Sequence, residues 1–258
     1  MSPDGQVSNC AVPADVGMEV CTFPMPAGTV FDWHTHEDHQ LAWASTGVLT
    51  VRSQSDAWVL PTTRALFIPA GVRHETLSQG AATMRSAYIR PSFSSVTWTV
   101  CTPVIASTLM GELLGRLERE DLSPESRTHT ERVLVDLLEP VASVSFDVRL
   151  PVDERACRVA DFLRRDPADN RTLAEWGKEV GASARTLARS FVADTGLPFG
   201  RWRTRLRLGA AMEELARQSP VANVARDVGY ESASAFVAAF RKETGITPAE
   251  YFRKGSDT

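Results

Sequence analysis

The sequence predicts an α+β multidomain protein. It should carry an antiparallel β-barrel at its N-terminus, a short helical segment, and a C-terminal all-α domain of two helix-turn-helix units joined by a long helix. Three observations carry this prediction. Apolar residues recur at a spacing near two up to Pro103 and at three or four beyond it. A helical pair with a glycine turn recurs about 48 residues apart within residues 151–258. The charge is also divided. Residues 1–150 hold 10 Lys+Arg against 17 Asp+Glu, net −7, and residues 151–258 hold 18 against 15, net +3, which together make the −4 of the whole chain. A basic half beside an acidic one points to a polyanion as the partner of the second half alone.

The bulk figures exclude several classes. With 258 residues the chain can bury two cores, and 43% hydrophobic with 23% charged residues is neither disordered nor fibrous. No run approaches the roughly 18 continuous apolar residues of a membrane helix, so no membrane partner is expected. The start, "MSPDGQVSNCAVPADVG", lacks a basic and apolar leader, so no signal peptide is expected. Cys10, Cys21, Cys101 and Cys157 show no CxxC spacing, and four reduced thiols in a cytoplasmic protein are the expectation.

The first domain is expected over residues 1–103. From about Cys21 to Arg90, "LAWAS", "VLTVRS", "AWVLP", "ALFIPA" and "MRSAYIR" are short alternating or apolar runs, separated by Gly, Pro and Ser at strand-and-turn spacing. Pro91 and Pro103 bracket a last predicted strand, "VTWTVC". Residues 104–150 then read as a helical linker and dimerisation segment. Ile105, Leu109, Leu113, Leu114 and Leu117 form one stripe. Ser123 caps a second helix, with Pro124 and Glu125 in its first turn and Val133, Leu134, Leu137, Leu138 and Val141 on its apolar face. Two uses fit this hairpin equally: a seam for a homodimer, or a cover for the strand domain.

Residues 151–258 form the third domain. Leu173, Trp176, Gly177 and Val180 share one helix face, Gly181 turns, Ser183 caps the next helix, and Leu187 and Phe191 face inward. The second unit repeats this with Val221, Val224, Ala225, Val228, Gly229, Ser232, Phe236 and Phe240. The two endings, "FVADTGLPFGRW" and "FRKETGITPAEYF", also match. One such pair is a weak signal. Two in tandem, joined by "RWRTRLRLGAAMEELA", are specific.

Residues 153–254 closely resemble the DNA-binding domain of AraC-family transcription regulators, on the strength of "VGASARTLARSF", "RLRLGAAMEELA" and "VARDVGYESASAFVAAFRKETGITPAEYF". The resemblance implies that each second helix enters a major groove, with the two contacts about one helical turn apart on promoter or operator DNA. Ala184, Arg185, Ala188 and Arg189 would then face outward on the first recognition helix, with Arg185 and Arg189 at base edges. The second helix offers only Ser232, Ser234, Val237 and Ala238, which discriminate little, so most readout is expected from the first unit. Arg201, Arg203 and Arg205 are expected at the DNA backbone or in solvent, and Arg207 inside the domain.

"WHTHEDHQ" carries three of the five histidines. Gly28, His34, His36, Gln40 and Gly47 reproduce the spacing of the first cupin motif, with Gln40 where glutamate is usual, and Pro69, Gly71 and His74 reproduce the second. The resemblance spans residues 20–100 and implies that His34, His36, Gln40 and His74 line a barrel as ligands of a divalent transition metal such as Zn, Ni, Fe or Mn. The alternative is a barrel whose histidines bind a ligand without metal. His34 and His36 are expected to alternate on one strand, with His39 on the other face and His129 at the surface. Trp33, Trp43, Trp58 and Phe67 are the candidate apolar wall of an effector pocket.

Together these readings describe a cytoplasmic, dimeric, ligand-responsive regulator and not an enzyme. It would sense a small molecule or a metal and, if an activator, contact RNA polymerase. The alternative is a metal-dependent cupin enzyme, a dioxygenase or isomerase, with an accessory helical domain. For that chemistry Glu37 and Asp38 are the nearby carboxylates, and only Asp38 would face inward.

Overall fold

The computed structural model describes residues 10–54, 56–78, 80–141 and 148–252. The sequence readings that touch 1–9, 142–147 and 253–258 lie outside these residues. The chain divides into two compact units, one mainly residues 1–143 and the other mainly residues 144–250.

Among the described residues, the first unit has nine strands in two antiparallel sheets. They are β1 (Met18–Met25), β2 (Val30–His34), β3 (His39–Thr46), β4 (Val48–Ser53), β5 (Ala57–Pro61), β6 (Arg64–Ile68), β7 (His74–Leu77), β8 (Ala82–Ile89) and β9 (Thr102–Ile105). The orders are β1-β8-β3-β6-β9 and β2-β7-β4-β5. The expected closed barrel is therefore corrected to two sheets with free edges. Period-two patterning marks which side chains face inward, and it reads the same whether a sheet closes on itself or stacks on a second one.

The space between the sheets is filled by Met25, Ala42, Ala44, Leu49, Val51, Trp58, Leu60, Leu66, Ile68 and Met84. The last predicted strand also moves. Residues 96–101 form no strand, and Pro103 lies inside β9, which is an edge strand where a missing N–H costs no ladder bond.

Helices α1 (Thr108–Leu117) and α2 (Pro124–Asp136) cover the other face of the five-stranded sheet. Met110, Leu114, Leu117, Leu134, Val135 and Leu138 pack there on Met18, Val20, Leu41, Phe67, Ala87 and Ile89. The hairpin thus serves as a cover. The predicted stripe shifts, because Ser107 caps α1 and Ile105 belongs to β9, while Leu109 and Val133 stay exposed.

Glu131 joins the two layers. It is 1% exposed and accepts hydrogen bonds from the Gly17 and Met18 N–H groups and from Arg127 Nε. Glu131→Ala would strand these donors, and we expect it to lower the first unit's stability by about 3 kcal/mol in urea unfolding.

Cys10 and Cys21 form a disulfide with Cα atoms 6.5 Å apart, which corrects the expectation of four reduced thiols. The segment before β1 doubles back on that strand, and this brings the pair into bridging range. Spacing along the chain does not reveal such a return. Cys101 and Cys157 are half-buried.

The second unit is helical: α3 (Glu154–Arg165), α4 (Leu173–Val180), α5 (Ala184–Thr195), α6 (Phe199–Ala216), α7 (Val221–Asp227) and α8 (Ala233–Thr244). The repeat is visible in the hydrogen bonds. Gly181 and Gly229 take φ +71° and +85° between the paired helices, and Ser183 and Ser232 cap α5 and α8. The shared Thr-Gly ending has a physical cause. The Thr195 and Thr244 hydroxyls donate back to the carbonyls of Phe191 and Phe240, and each accepts from the N–H two residues onward. Trp176, Val180, Leu187, Phe191 and Trp202 centre the first pair; Leu208, Met212, Val224, Phe236 and Phe240 are buried in the second.

Candidate metal centre and nucleic-acid interface

The three motif histidines converge. Ring centroids of His34 and His74 lie 4.4 Å apart, His34 and His36 4.7 Å, and His36 and His74 5.3 Å. One ligand nitrogen from each lies within 4.8 Å of the others. The way they meet differs from the expectation. β2 ends at His34, and residues 35–38 bend away from the strand, so His36 arrives from a turn and the alternation argument does not apply to it. That turn is held by the motif glycine. At φ +77° the Gly71 N–H donates to the His36 carbonyl at 2.8 Å. Asp38 sits in the same bend, so strand parity does not place it inward either.

Backbone carbonyls fix the tautomers of two rings. His34 Nδ1 meets the Asp32 carbonyl, and His74 Nδ1 donates to the Val72 carbonyl at 3.0 Å, so each ring turns its Nε2 edge away from the backbone. Burial, then the neighbouring His34 and His74, push the His36 pKa down to about 4, and the Gln40 amide acts in the opposite sense. Burial also takes His74 to about 4, against the opposing hydrogen bond to Val72. Both rings are therefore neutral near pH 7, the form that ligates metal.

His36 Nε2, His74 Nε2, Gln40 Oε1 and Thr76 Oγ1 are buried and lack a hydrogen-bond partner among the described residues. Buried polar atoms are almost always satisfied. A set of lone-pair donors left open together fits a divalent cation. The residues present match the metal that the resemblance implies, with His34, His36, His74 and Gln40 as the groups that would hold it.

The aromatic candidates separate. Trp58 is buried between the sheets. Trp43 and Phe67 are not brought to the histidines. Gln40 and Ile68 face the sheet interior, so Trp43 and Phe67 emerge on the opposite face, beneath α1 and α2. There Trp43 Nε1 donates to the Thr62 carbonyl and Phe67 meets Trp98 edge-on at 5.3 Å. Trp33 is 38% exposed, with the Arg73 guanidinium 5.6 Å from its ring centre. His39 also lies on the far face, accepting the Ala70 N–H and packing on Phe67, and His129 is exposed.

In the second unit, α5 buries Leu187 and Phe191 and exposes Arg185 and Arg189. Ala184 and Ala188 flank them, half-buried. Neither arginine has a hydrogen-bond or ion-pair partner among the described residues. Other arginines of this unit are engaged internally. Arg201 and Arg205 both bond Glu243, each at 3.1 Å. Burial pushes the Glu243 carboxyl up, but hydrogen bonds from the two arginines outweigh it and hold the pKa below the ordinary value. Arg203 donates to the Arg171 carbonyl. Arg207, 7% exposed, bonds the carbonyls of Pro167, Gly229 and Asp169. Thus Arg201 stays in solvent as expected while pairing with Glu243, and half-buried Arg203 and Arg205 brace the domain from its surface.

On α8, Ser234 and Ala238 are exposed and Val237 half-buried. The Ser183 and Ser232 hydroxyls accept the N–H groups of Thr186 and Ala235, so both are committed to capping. Sequence reading missed Ser86 and Tyr88 beside Gln40, Thr76 beside His74, and exposed Arg241 and Lys242 in the last turn of α8. The last pair carried a legible signal, two cations at a helix end. The others became visible only once strands were paired.

Comparison with known proteins adds to this geometry. A helix-turn-helix domain family matches residues 176–254. The chain is 30% identical over 224 residues to the HTH-type transcriptional regulator NimR of Escherichia coli, covering 86% of this chain and 82% of that one. It is 32% identical over 216 residues to the HTH-type transcriptional regulator RipA of Corynebacterium glutamicum, covering 82% and 61%. Over 192 residues it is 30% identical to an AraC-like transcription regulator of Streptomyces antibioticus, covering 71% and 54%.

Proposed function

The chain belongs to the AraC family of helix-turn-helix transcription regulators, and from that premise we propose how its two units divide the work of a ligand-responsive regulator. The helical unit binds two successive major-groove segments of promoter DNA, with α5 and α8 as the inserted helices. The observation that carries this is the pair Arg185 and Arg189, exposed and unpaired on α5 while Arg201, Arg203, Arg205 and Arg207 are bonded to other groups of the unit. A charged fork left free at one-turn spacing suits guanine edges. Ala184, Ala188, Ser234 and Val237 line the same surfaces as apolar or weakly polar contacts. The capped N-termini at Ser183 and Ser232 present backbone N–H groups to phosphate.

The β-rich unit is the sensor. We assign a divalent transition metal (Zn, Ni, Fe or Mn) to His34, His36, His74 and Gln40, supported by the convergent, unpartnered donors. When bound, such an ion supplies Lewis acidity to whatever ligand it meets. Four neutral donors leave its charge uncompensated, which favours an anionic effector. Trp58 and Trp33 remain candidates for the apolar side of the effector pocket. The effector acts by binding one arrangement of a dimer better than another. Exposed Leu109 and Val133 on the hairpin support that face as the homodimer contact. Contact with RNA polymerase follows if the protein activates, and a cytoplasmic location follows from promoter binding. No helix among the described residues is long and apolar enough to cross a membrane. The enzyme alternative has no support in the relatives, which are named as regulators.

Elemental analysis of the purified full chain tests the sensor. We expect close to one equivalent of metal in the wild type and loss of most of it in His74→Ala. Equal metal content in the two proteins would remove the assignment.

A further inference from the structure

We propose that Ser86 is a positioning residue that fixes the Gln40 amide with its oxygen toward the three imidazoles, making a three-nitrogen, one-oxygen donor set. This rests on the metal reading above and names what sets its fourth donor.

Gln40 on β3 pairs with Tyr88 on β8, and Ser86 lies two residues along on the same face of that strand. Gln40 Nε2 donates to Ser86 Oγ at 2.9 Å, with Gln40 2% exposed and Ser86 fully buried. A carboxamide has one donating end and one accepting end. Ser86 takes the donating end, so Oε1 is the atom left, buried and without a partner among the described residues. Gln40 pairs with Tyr88, whose ring touches His36, so this free oxygen lies on the histidine side of the sheet. Tyr88 closes the arrangement. Its ring meets His36 edge-on at 4.9 Å. The Ser86 lone pair is engaged by Gln40. The reversed amide would aim two N–H donors at imidazole lone pairs and exclude a cation. Glutamate, the usual residue at this position in cupins, has oxygen at both ends and needs no such orientation. Substituting glutamine for it makes the serine consequential.

Titration of the chelator-treated full chain with Co(II), followed by its visible absorption, tests this. Ser86→Ala is expected to weaken Co(II) binding 10- to 100-fold and to alter the spectrum, whereas Gln40→Glu and Gln40→Glu/Ser86→Ala should agree within about threefold. Thermal melts check folding. If the alanine variant fails to fold, Ser86→Thr and Ser86→Val, equal in volume, isolate the hydroxyl: threonine should retain affinity and valine lose it. Unchanged affinity and spectrum in Ser86→Ala, or equal weakening in both the glutamine and glutamate backgrounds, would overturn the inference while leaving the metal site standing. A wild type that binds no Co(II) would overturn both.

Discussion

A chain carrying Arg185→Ala and Arg189→Ala together is expected to bind its own promoter region roughly 30-fold to 10⁴-fold more weakly than the wild type, with folding intact. Each arginine at a guanine edge contributes about 1–3 kcal/mol of discrimination at a matched base pair, and the two lie one helical turn apart on α5. Because neither side chain is engaged in the fold, their loss should leave the unfolding curve within about 0.5 kcal/mol of wild type. Footprinting and fluorescence anisotropy against matched and scrambled duplexes separate the contributions. Matched affinity should fall far more than scrambled affinity. Equal loss on both duplexes would reduce the pair to phosphate contacts, and no loss would move base readout away from α5. The contrast with α8 sharpens the test. Ser234→Ala should cost less than about 1 kcal/mol, because a serine hydroxyl and the neighbouring alanines can discriminate little.

The two units were legible to different degrees, for physical reasons. Helical order is local. Gly181, Ser183, Leu187 and Phe191 specify a turn, a cap and an inward face within ten or so residues, so α4, α5, α7 and α8 lie where expected, with α5 and α8 capped at the expected serines. Strand order is non-local. Alternation identified β3, β4, β5, β6 and β8, yet which strands pair, and whether the sheet closes, depends on neighbours far along the chain. That is why Trp43 and Phe67 were assigned to a pocket and lie instead under α1 and α2. Once Gln40 is known to face inward, the parity of Trp43 follows from β3 alone, so this assignment was within reach. Ser86 was not, because nothing in "MRSAYIR" marks a serine that will meet Gln40 across β3 and β8. The Cys10–Cys21 pair was missed for the same reason, a return of the chain that spacing does not encode. The histidines were found by motif, and His36 reaches them by a turn that motif reading mistook for strand.

Arg207→Ala should do the opposite of the α5 substitutions, costing about 3–5 kcal/mol of stability in the helical unit without changing which bases are read. Arg207 lies in α6, the connection between the two helical pairs, and its guanidinium spends four hydrogen bonds on them. Nε donates to Pro167, Nη1 to Gly229, and Nη2 to Asp169 and to Asn170 Oδ1, all between 2.8 and 3.0 Å. One side chain therefore ties the loop before α4 to the turn between α7 and α8. Burial, and then Arg203, pull its pKa below the ordinary value, so the charge is held at some cost and the carbonyls offset it. Removing the fork leaves those carbonyls without a donor. The same turn admits no substitute, for a Cβ added at Gly229 would meet Ala168 Cα and Arg207 Nη2 at 2.7 Å. Lysine keeps the charge but offers one ammonium where two faces of a planar fork are required, so Arg207→Lys should recover less than half of the loss. Urea unfolding followed by fluorescence of Trp176 and Trp202, both fully buried in this unit, reads the effect directly. At a temperature where the variant is still folded, its footprint should cover the wild-type bases. A changed footprint with unchanged stability would instead make Arg207 part of the DNA interface.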